Sequence, residues 1–139
     1  MFIGEYNPTL DAKGRVNFPA KLREDLGENF IICKRLDGCL AAFPLPTWER
    51  LMDRLTQSSM AETADLQRFL SAGAQIMEPD KQGRILIPTT LREYAQLEKD
   101  IIVAGVTNRA EIWNKERWKE VNNRLTPKAM AGLMASIGF

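Results

Sequence analysis

Apolar residues fall into short runs of strand length, separated by turn-forming residues. Phe30-Ile-Ile-Cys33 and Leu40-Ala-Ala-Phe43 read as buried strands joined across the hairpin signal Asp37-Gly38. Ile101-Ile-Val-Ala104 and Glu111-Ile-Trp113 repeat that plan around Thr107-Asn108-Arg109. Arg15-Val-Asn-Phe18 alternates polar and apolar residues, as a half-buried strand does, and Arg84-Ile-Leu-Ile87 is its counterpart. A proline ends each, at Pro19 and Pro88, and suits the first turn of a short helix. These helices are expected over Ala20–Leu26, stopped by Gly27, and over Thr89–Ala95. The stretch from Glu5 to Leu10 alternates poorly but leads into a turn.

Longer helices carry a different period. Trp48, Leu51, Met52 and Leu55 stand at i, i+3, i+4 and i+7 behind Pro46-Thr47. Leu66, Phe69 and Leu70 continue on a second helix ending at Gly73, with Gln57-Ser58-Ser59 as the break between the two. Trp118, Val121 and Leu125 share a face, and Met130, Leu133, Met134 and Ile137 follow Pro127. Core packing is the expected fate of these stripes. The methionine-rich last segment has little chain left to cover it and is a candidate for docking between subunits.

The chain says one thing twice. Asp11-Ala-Lys-Gly-Arg15-Val-Asn-Phe-Pro19-Ala-Lys-Leu-Arg23 returns 69 positions later as Asp80-Lys-Gln-Gly-Arg84-Ile-Leu-Ile-Pro88-Thr-Thr-Leu-Arg92. Gly4 and Gly73 share the offset, and Phe43 and Trp48 answer Trp113 and Trp118 after a one-residue slip. A long period in two copies marks a duplicated supersecondary unit and a pseudo-symmetric body. The copied part is a charged surface turn rather than a core segment, and such turns carry function.

Composition narrows the function. At 139 residues, 45% hydrophobic and 27% charged, the chain has the make-up of one soluble globular domain built from two small halves. No apolar run can span a bilayer, and the opening Met-Phe-Ile-Gly-Glu-Tyr-Asn is not a signal peptide, so a cytoplasmic protein is expected. Histidine is absent, which removes the commonest general base. Cys33 and Cys39 are the only cysteines and read as apolar fillers, because zinc would need carboxylates as its remaining ligands. No enzyme, cofactor or metal site is therefore expected.

A net charge of +1 does not advertise a nucleic-acid binder, but its distribution does. Lys13, Arg15, Lys21 and Arg23 have no acid among them, and the second copy offers Lys81, Arg84 and Arg92. In Asp-x-x-Gly-Arg the carboxylate can accept backbone N–H bonds, and the glycine supplies a positive φ. The arginine is then held on a rigid strand, suited to bidentate contact with phosphate or with guanine O6 and N7. A purely structural hairpin turn explains one copy as well; two copies with the same Pro-x-x-Leu-Arg favour binding.

Taken together, these motifs resemble the MraZ family. The likeness runs through Met1-Phe-Ile-Gly-Glu-Tyr6, Leu10-Asp-Ala-Lys-Gly-Arg15, Pro19-Ala-Lys-Leu-Arg23, Phe43-Pro-Leu-Pro-x-Trp48, Asp80-Lys-Gln-Gly-Arg84 and Gly105-Val-x-Asn-Arg109 with Glu111-x-Trp113. The resemblance implies an α+β fold: a duplicated swapped-hairpin, AbrB-like β-barrel with pseudo-two-fold symmetry, flanked by helices. Residues 1–60 would form the first SpoVT-AbrB-like module with its following helix, and residues 61–139 the second. It also implies a DNA-binding transcriptional regulator, a repressor of the division and cell-wall gene cluster. Such a protein binds tandem guanine-containing promoter repeats as a homo-oligomeric ring associated with the nucleoid. The family's site residues carry over onto Lys13, Gly14, Arg15, Lys81, Gly83 and Arg84, with Arg23 and Arg92 as secondary backbone contacts. Asp11 and Asp80 orient the turns. Only the C-terminus departs, stopping at Gly138-Phe139 without the longer, acidic tail of some members. Both turns are expected to be reading heads; if only one reads bases, the first is expected, because Lys21 and Arg23 give it the denser basic surroundings in sequence. The rival reading is a ring-forming scaffold whose turns bind an acidic protein partner; neither reading needs a small-molecule substrate or a membrane.

Overall fold

A computed structural model describes every residue, Met1–Phe139. In chain order the elements are β1 (Glu5–Tyr6), β2 (Arg15–Asn17), α1 (Ala20–Leu26), β3 (Phe30–Lys34), β4 (Leu40–Pro44), α2 (Leu45–Thr56) and α3 (Met60–Gln67). A π-helical turn (Arg68–Ala72) then leads to β5 (Gln75–Met77), β6 (Arg84–Leu86), α4 (Thr89–Tyr94), β7 (Ile101–Val106), β8 (Arg109–Asn114), α5 (Lys115–Arg124) and α6 (Pro127–Ser136). The architecture is α+β, with antiparallel sheets and six α-helices.

The apolar runs form the middle of a six-stranded sheet, in the order β1-β7-β8-β4-β3-β5. Hairpins β3–β4 and β7–β8 meet through β4 and β8, with Leu40 opposite Ile112 and Ala42 opposite Ala110. Each outer strand lies on the other half's hairpin: Tyr6 of β1 pairs with Val103 of β7, and Met77 of β5 with Phe30 of β3. A separate two-stranded ribbon joins β2 to β6, with Val16 opposite Ile85. Exchanging the two halves therefore turns the strand order into its own reverse.

The central strands are buried on both faces, which is why their sequences lack alternation. One face carries Phe30, Ile32, Leu40, Ala42, Ile101, Val103 and Ile112 into the main core. Val16, Phe18, Ile85 and Ile87 close that core from the ribbon side, and Leu22 and Leu91 do so from α1 and α4. Phe18 and Phe30 pack with ring centroids 5.4 Å apart. On the other face, Trp48 and Leu51 of α2 cover Cys33, Ala41 and Phe43, while Trp118 and Val121 of α5 cover Cys39, Ile102, Ala104 and Trp113.

Four expectations change. The sheet is not a closed barrel, because β1 and β5 are free edges and the ribbon stands apart. Past Pro8 the pairing thins to an isolated Thr9–Asp100 bridge, with Leu10 N donating to Lys99 O at 2.8 Å, and a single Leu10–Val16 bridge reaches the ribbon. Gly4 and Gly73 are not equivalent: Gly4 has φ +98°, whereas Gly73 caps the π-helical turn at φ −84°. Arg109 belongs to β8, leaving Thr107 and Asn108 as the turn. The α6 stripe does not enter the core, since Leu133 and Ile137 are 64% and 72% exposed. No helix is long and apolar enough to cross a membrane.

Candidate nucleic-acid interface

The repeated aspartates build the turns. Asp11 Oδ1 accepts hydrogen bonds from the backbone N–H of Lys13 at 2.9 Å and of Arg15 at 2.8 Å. Asp80 Oδ1 accepts from the N–H of Gln82 at 2.9 Å and of Arg84 at 3.0 Å. Backbone bonds from Gly14 N to Asp11 O and from Gly83 N to Asp80 O close the loops. The Arg15 amide is the main cause holding the Asp11 carboxyl below its ordinary value, and the Arg84 amide does the same for Asp80.

Gly14 and Gly83 meet two demands at once. Their φ angles are +92° and +80°, in the left-handed region. Both are buried, and each lies against a guanidinium from the opposite half. A Cβ on Gly14 would lie 2.6 Å from Arg92 Nε; one on Gly83 would run into Arg23 Cζ. Arg92 Nε donates to Ile87 O at 2.8 Å and Arg23 Nε donates to Phe18 O at 3.0 Å. The turns are also stitched across the halves by Ile87 N to Gly14 O at 2.9 Å and Phe18 N to Gly83 O at 3.1 Å.

Register decides which side chains share a surface. With Arg15 opposite Leu86 and Asn17 opposite Arg84, all four point out of the ribbon, while Val16 and Ile85 point into the core. The outward face thus joins Arg15 to Arg84 diagonally, with one turn at each end. Lys13 and Lys81 are exposed on their turns but at different positions, because Gln82 is the counterpart of Lys13. Arg23 lies under the second turn, and Lys21 faces the N-terminal segment near Met1 and Ile3. The basic companion of Arg15 is consequently Arg92, from the other copy. Asn17 and Leu86 were not singled out by the repeat, because they differ between the copies; strand alternation alone marked them as surface positions.

The two faces of the duplicated unit are not electrostatically equal. Asp80 Oδ2 accepts from Arg84 Nε at 2.9 Å, and Arg84 is tethered as a result. Arg15 bonds Asp11 through its backbone alone, its N–H donating to Asp11 Oδ1 and its carbonyl accepting from Asp11 N. Away from the ribbon, Asp37, Cys39 and Glu111 bring ligand atoms within 4.8 Å of one another. There the Glu111 carboxylate accepts from Arg109 at 2.9 Å and from Trp113 Nε1 at 3.0 Å. Burial and the carboxylates of Glu111 and Asp37 push the Cys39 thiol far up, and burial raises Cys33 to about 11. A protonated Cys39 thiol and an arginine-bound carboxylate make the cluster poor in ligand capacity, although Arg35 Nε, 4.0 Å from Glu111 Oε2, is buried without a hydrogen-bond partner. Glu111 stands in the sequence as a strand and motif residue, but its burial and its pairing with Arg109 are not legible there.

Known proteins match this chain throughout. A family model described as "MraZ protein, putative antitoxin-like" matches residues 1–70 and again residues 70–130. A relative from Lachnoclostridium phytofermentans, named transcriptional regulator MraZ, is 49% identical over 140 residues, covering 100% of this chain and 99% of its own. One of the same name from Clostridium acetobutylicum is 45% identical over 142 residues, covering both chains completely. A third, from Heliobacterium modesticaldum, is 48% identical over 129 residues, 91% of this chain and 90% of its own. With its two Asp-x-x-Gly-Arg turns framing one outward ribbon, the chain belongs to the MraZ family.

Proposed function

We propose that this chain is a sequence-specific DNA-binding transcriptional regulator, not an enzyme. The observation that carries the reading is the outward ribbon face, with Arg15, Asn17 and Arg84 presented between two rigid Asx turns. The major groove of B-DNA, about 12 Å wide, admits a two-stranded β-ribbon. Arg15 and Arg84 then address guanine O6 and N7, and Lys13 and Lys81 neutralise phosphates. Asp11 and Asp80 orient without touching DNA; Gly14 and Gly83 let the turns pack closely; Arg23 and Arg92 add positive potential at their base. The relatives' name, transcriptional regulator, supports the same reading.

In this proposal the body is a duplicated swapped-hairpin unit, residues 1–60 and 61–139, and the reversed strand order on exchange of halves supports it. The target is a run of tandem guanine-containing repeats upstream of the division and cell-wall gene cluster, and the outcome is repression. One chain presents few cations to the phosphates, Lys13 and Lys81 among them, so tight binding needs several subunits on successive repeats. A homo-oligomeric ring in the nucleoid-bearing cytoplasm meets that need through head-to-tail contacts.

The test is fluorescence anisotropy with a duplex of the DNA upstream of the protein's own gene, against a scrambled duplex of equal length. Wild type prefers the first, and Arg15→Ala abolishes the preference. Equal binding to both duplexes by wild type would overturn the reading and leave the scaffold alternative; unchanged affinity and salt slope in Arg15→Ala would remove that residue from the interface.

A further inference from the structure

We infer that Arg92 is the positioning residue of the first turn and Arg23 that of the second, so each DNA-facing turn is completed by the opposite half of the chain. The inference rests on the reading of the turns as DNA contacts, which it deepens. In sequence each of these arginines follows its own turn, and proximity along the chain assigns Arg23 to Arg15 and Arg92 to Arg84. The register of the ribbon reverses that assignment.

Antiparallel pairing sets Arg15 opposite Leu86, which brings Gly14 beside Ile87 and the start of α4. Arg92 projects back from α4, is fixed by Ile87 O through Nε, and fills the space that a side chain on Gly14 would take. By the same geometry Arg23 leaves α1, is fixed by Phe18 O, and lies against Gly83. In both cases the carbonyl that anchors the arginine belongs to the residue whose N–H bonds the opposite glycine's carbonyl. Turn, strand end and guanidinium thus form one interlocked unit at each end of the ribbon. Removing the guanidinium opens a gap directly under the left-handed glycine and loosens the arginine-bearing strand above it.

The two units differ in which cation stays available. Arg92 Nη2 donates to Thr89 Oγ1 at 3.0 Å, so the prop of the first turn is tied while Arg15 above it is not. The counterpart of Thr89 is Ala20, which has no hydroxyl, so Arg23 is anchored through Nε alone while Arg84 above it is tied to Asp80. The first end therefore pairs a doubly anchored Arg92 with an Arg15 side chain that makes no bond, and the second pairs a singly anchored Arg23 with an Arg84 bonded to Asp80.

The first arm of the test needs no DNA. In 15N–1H spectra, Arg92→Ala is expected to shift the amides of Lys13, Gly14 and Arg15 more than those of Gln82, Gly83 and Arg84, and Arg23→Ala to do the reverse. Arg92→Met and Arg23→Met, which keep the stem but lose the guanidinium, give the same pattern if an alanine variant is poorly folded. Shifts concentrated in the variant's own turn, or equal in both turns, would overturn the inference. The second arm is a double-mutant cycle on the upstream duplex. Arg92→Ala couples with Arg15→Ala by about threefold or more and is additive with Arg84→Ala; equal coupling to both would indicate a merely structural role and overturn it. Failure of wild type to bind that duplex removes the functional reading and leaves the spectra to decide the trans assignment.

Discussion

Asp80 Oδ2 holds Arg84 Nε at 2.9 Å, and no equivalent bond joins Asp11 to Arg15. Both aspartates close their turns through Oδ1, so the tether is an addition to one copy rather than part of the turn itself. An exposed pair of this kind contributes little to stability, but it occupies donors that a base edge would need. Arg15→Ala is therefore expected to weaken binding to the upstream duplex by about tenfold or more, the scale of one bidentate base contact. Arg84→Ala should cost less. Asp80→Asn releases Arg84 and should strengthen binding more than Asp11→Asn, which removes the same charge without freeing an arginine. Anisotropy titrations of the four variants check this, and equal effects of the two asparagine changes would show that the tether does not matter.

Close packing makes the repeated glycines more demanding than an ordinary turn glycine. Gly27 has φ +90° with open space where a Cβ would stand. Gly14 and Gly83 have the same hand of φ but a guanidinium in that space. Gly27→Ala should thus cost only the backbone strain, about 1 kcal/mol, and Gly14→Ala or Gly83→Ala about 2–3 kcal/mol. Urea unfolding at constant m-value measures the difference. Equal losses at all three positions would mean that the arginines move aside freely.

Local chemistry was legible in the sequence, and what depends on register was not. The span of α1, its stop at Gly27, the proline-ended ribbon strands and both hairpins follow from short-range periodicity and turn residues. The Asx turns were readable for the same reason, since Asp11 bonds only to residues within four positions. No local signal places Arg23 beneath Gly83; that contact needs the β2–β6 pairing, which joins residues about 69 apart. Asn17 carries no repeat signal, because Leu86 stands in its place in the second copy. Barrel closure is non-local in the same way: it would need the edge strands to ladder with the ribbon, and only the isolated Leu10–Val16 bridge reaches it from the β1 side.

The turns should be insensitive to pH near neutrality and loosen only in acid. Both carboxyls sit below their ordinary value, chiefly because the Arg15 and Arg84 amides donate to the ionised form. A depressed folded-state pKa contributes stability that is fully present above the unfolded value, about 3.9 for Asp, and is lost as pH falls through the lower folded value. The amide signals of Lys13, Arg15, Gln82 and Arg84 are expected to stay constant from pH 8 to about pH 5 and to move only in stronger acid. In Asp11→Ala the first pair should already be displaced at pH 7. A midpoint for the wild-type turns above the ordinary carboxylate value would contradict the direction of both shifts.

The helix α6 offers the sharpest test of assembly. Thr126 Oγ1 accepts from Ala129 N at 3.1 Å and Pro127 opens the first turn, so the helix is well started by its own sequence. Beyond the half-buried Met130 its apolar stripe is open to solvent: Leu133, Met134 and Ile137 are all exposed. The corresponding segment of the first half behaves differently, with Phe69 packing edge-on against Tyr94 and Lys34 reaching over both rings. An uncovered apolar helix on a folded body is the surface expected of a subunit contact. In the assembly proposed above, Leu133→Glu should leave the thermal midpoint of the protomer nearly unchanged, because nothing in the chain packs on it, and reduce the mass measured by light scattering. Affinity for a duplex with several repeats should then fall far more than affinity for one with a single repeat, since only the first gains from linked subunits. An unchanged mass for Leu133→Glu, with Met134→Glu and Ile137→Glu behaving alike, would exclude α6 from the contact and turn attention to the exposed face of α2.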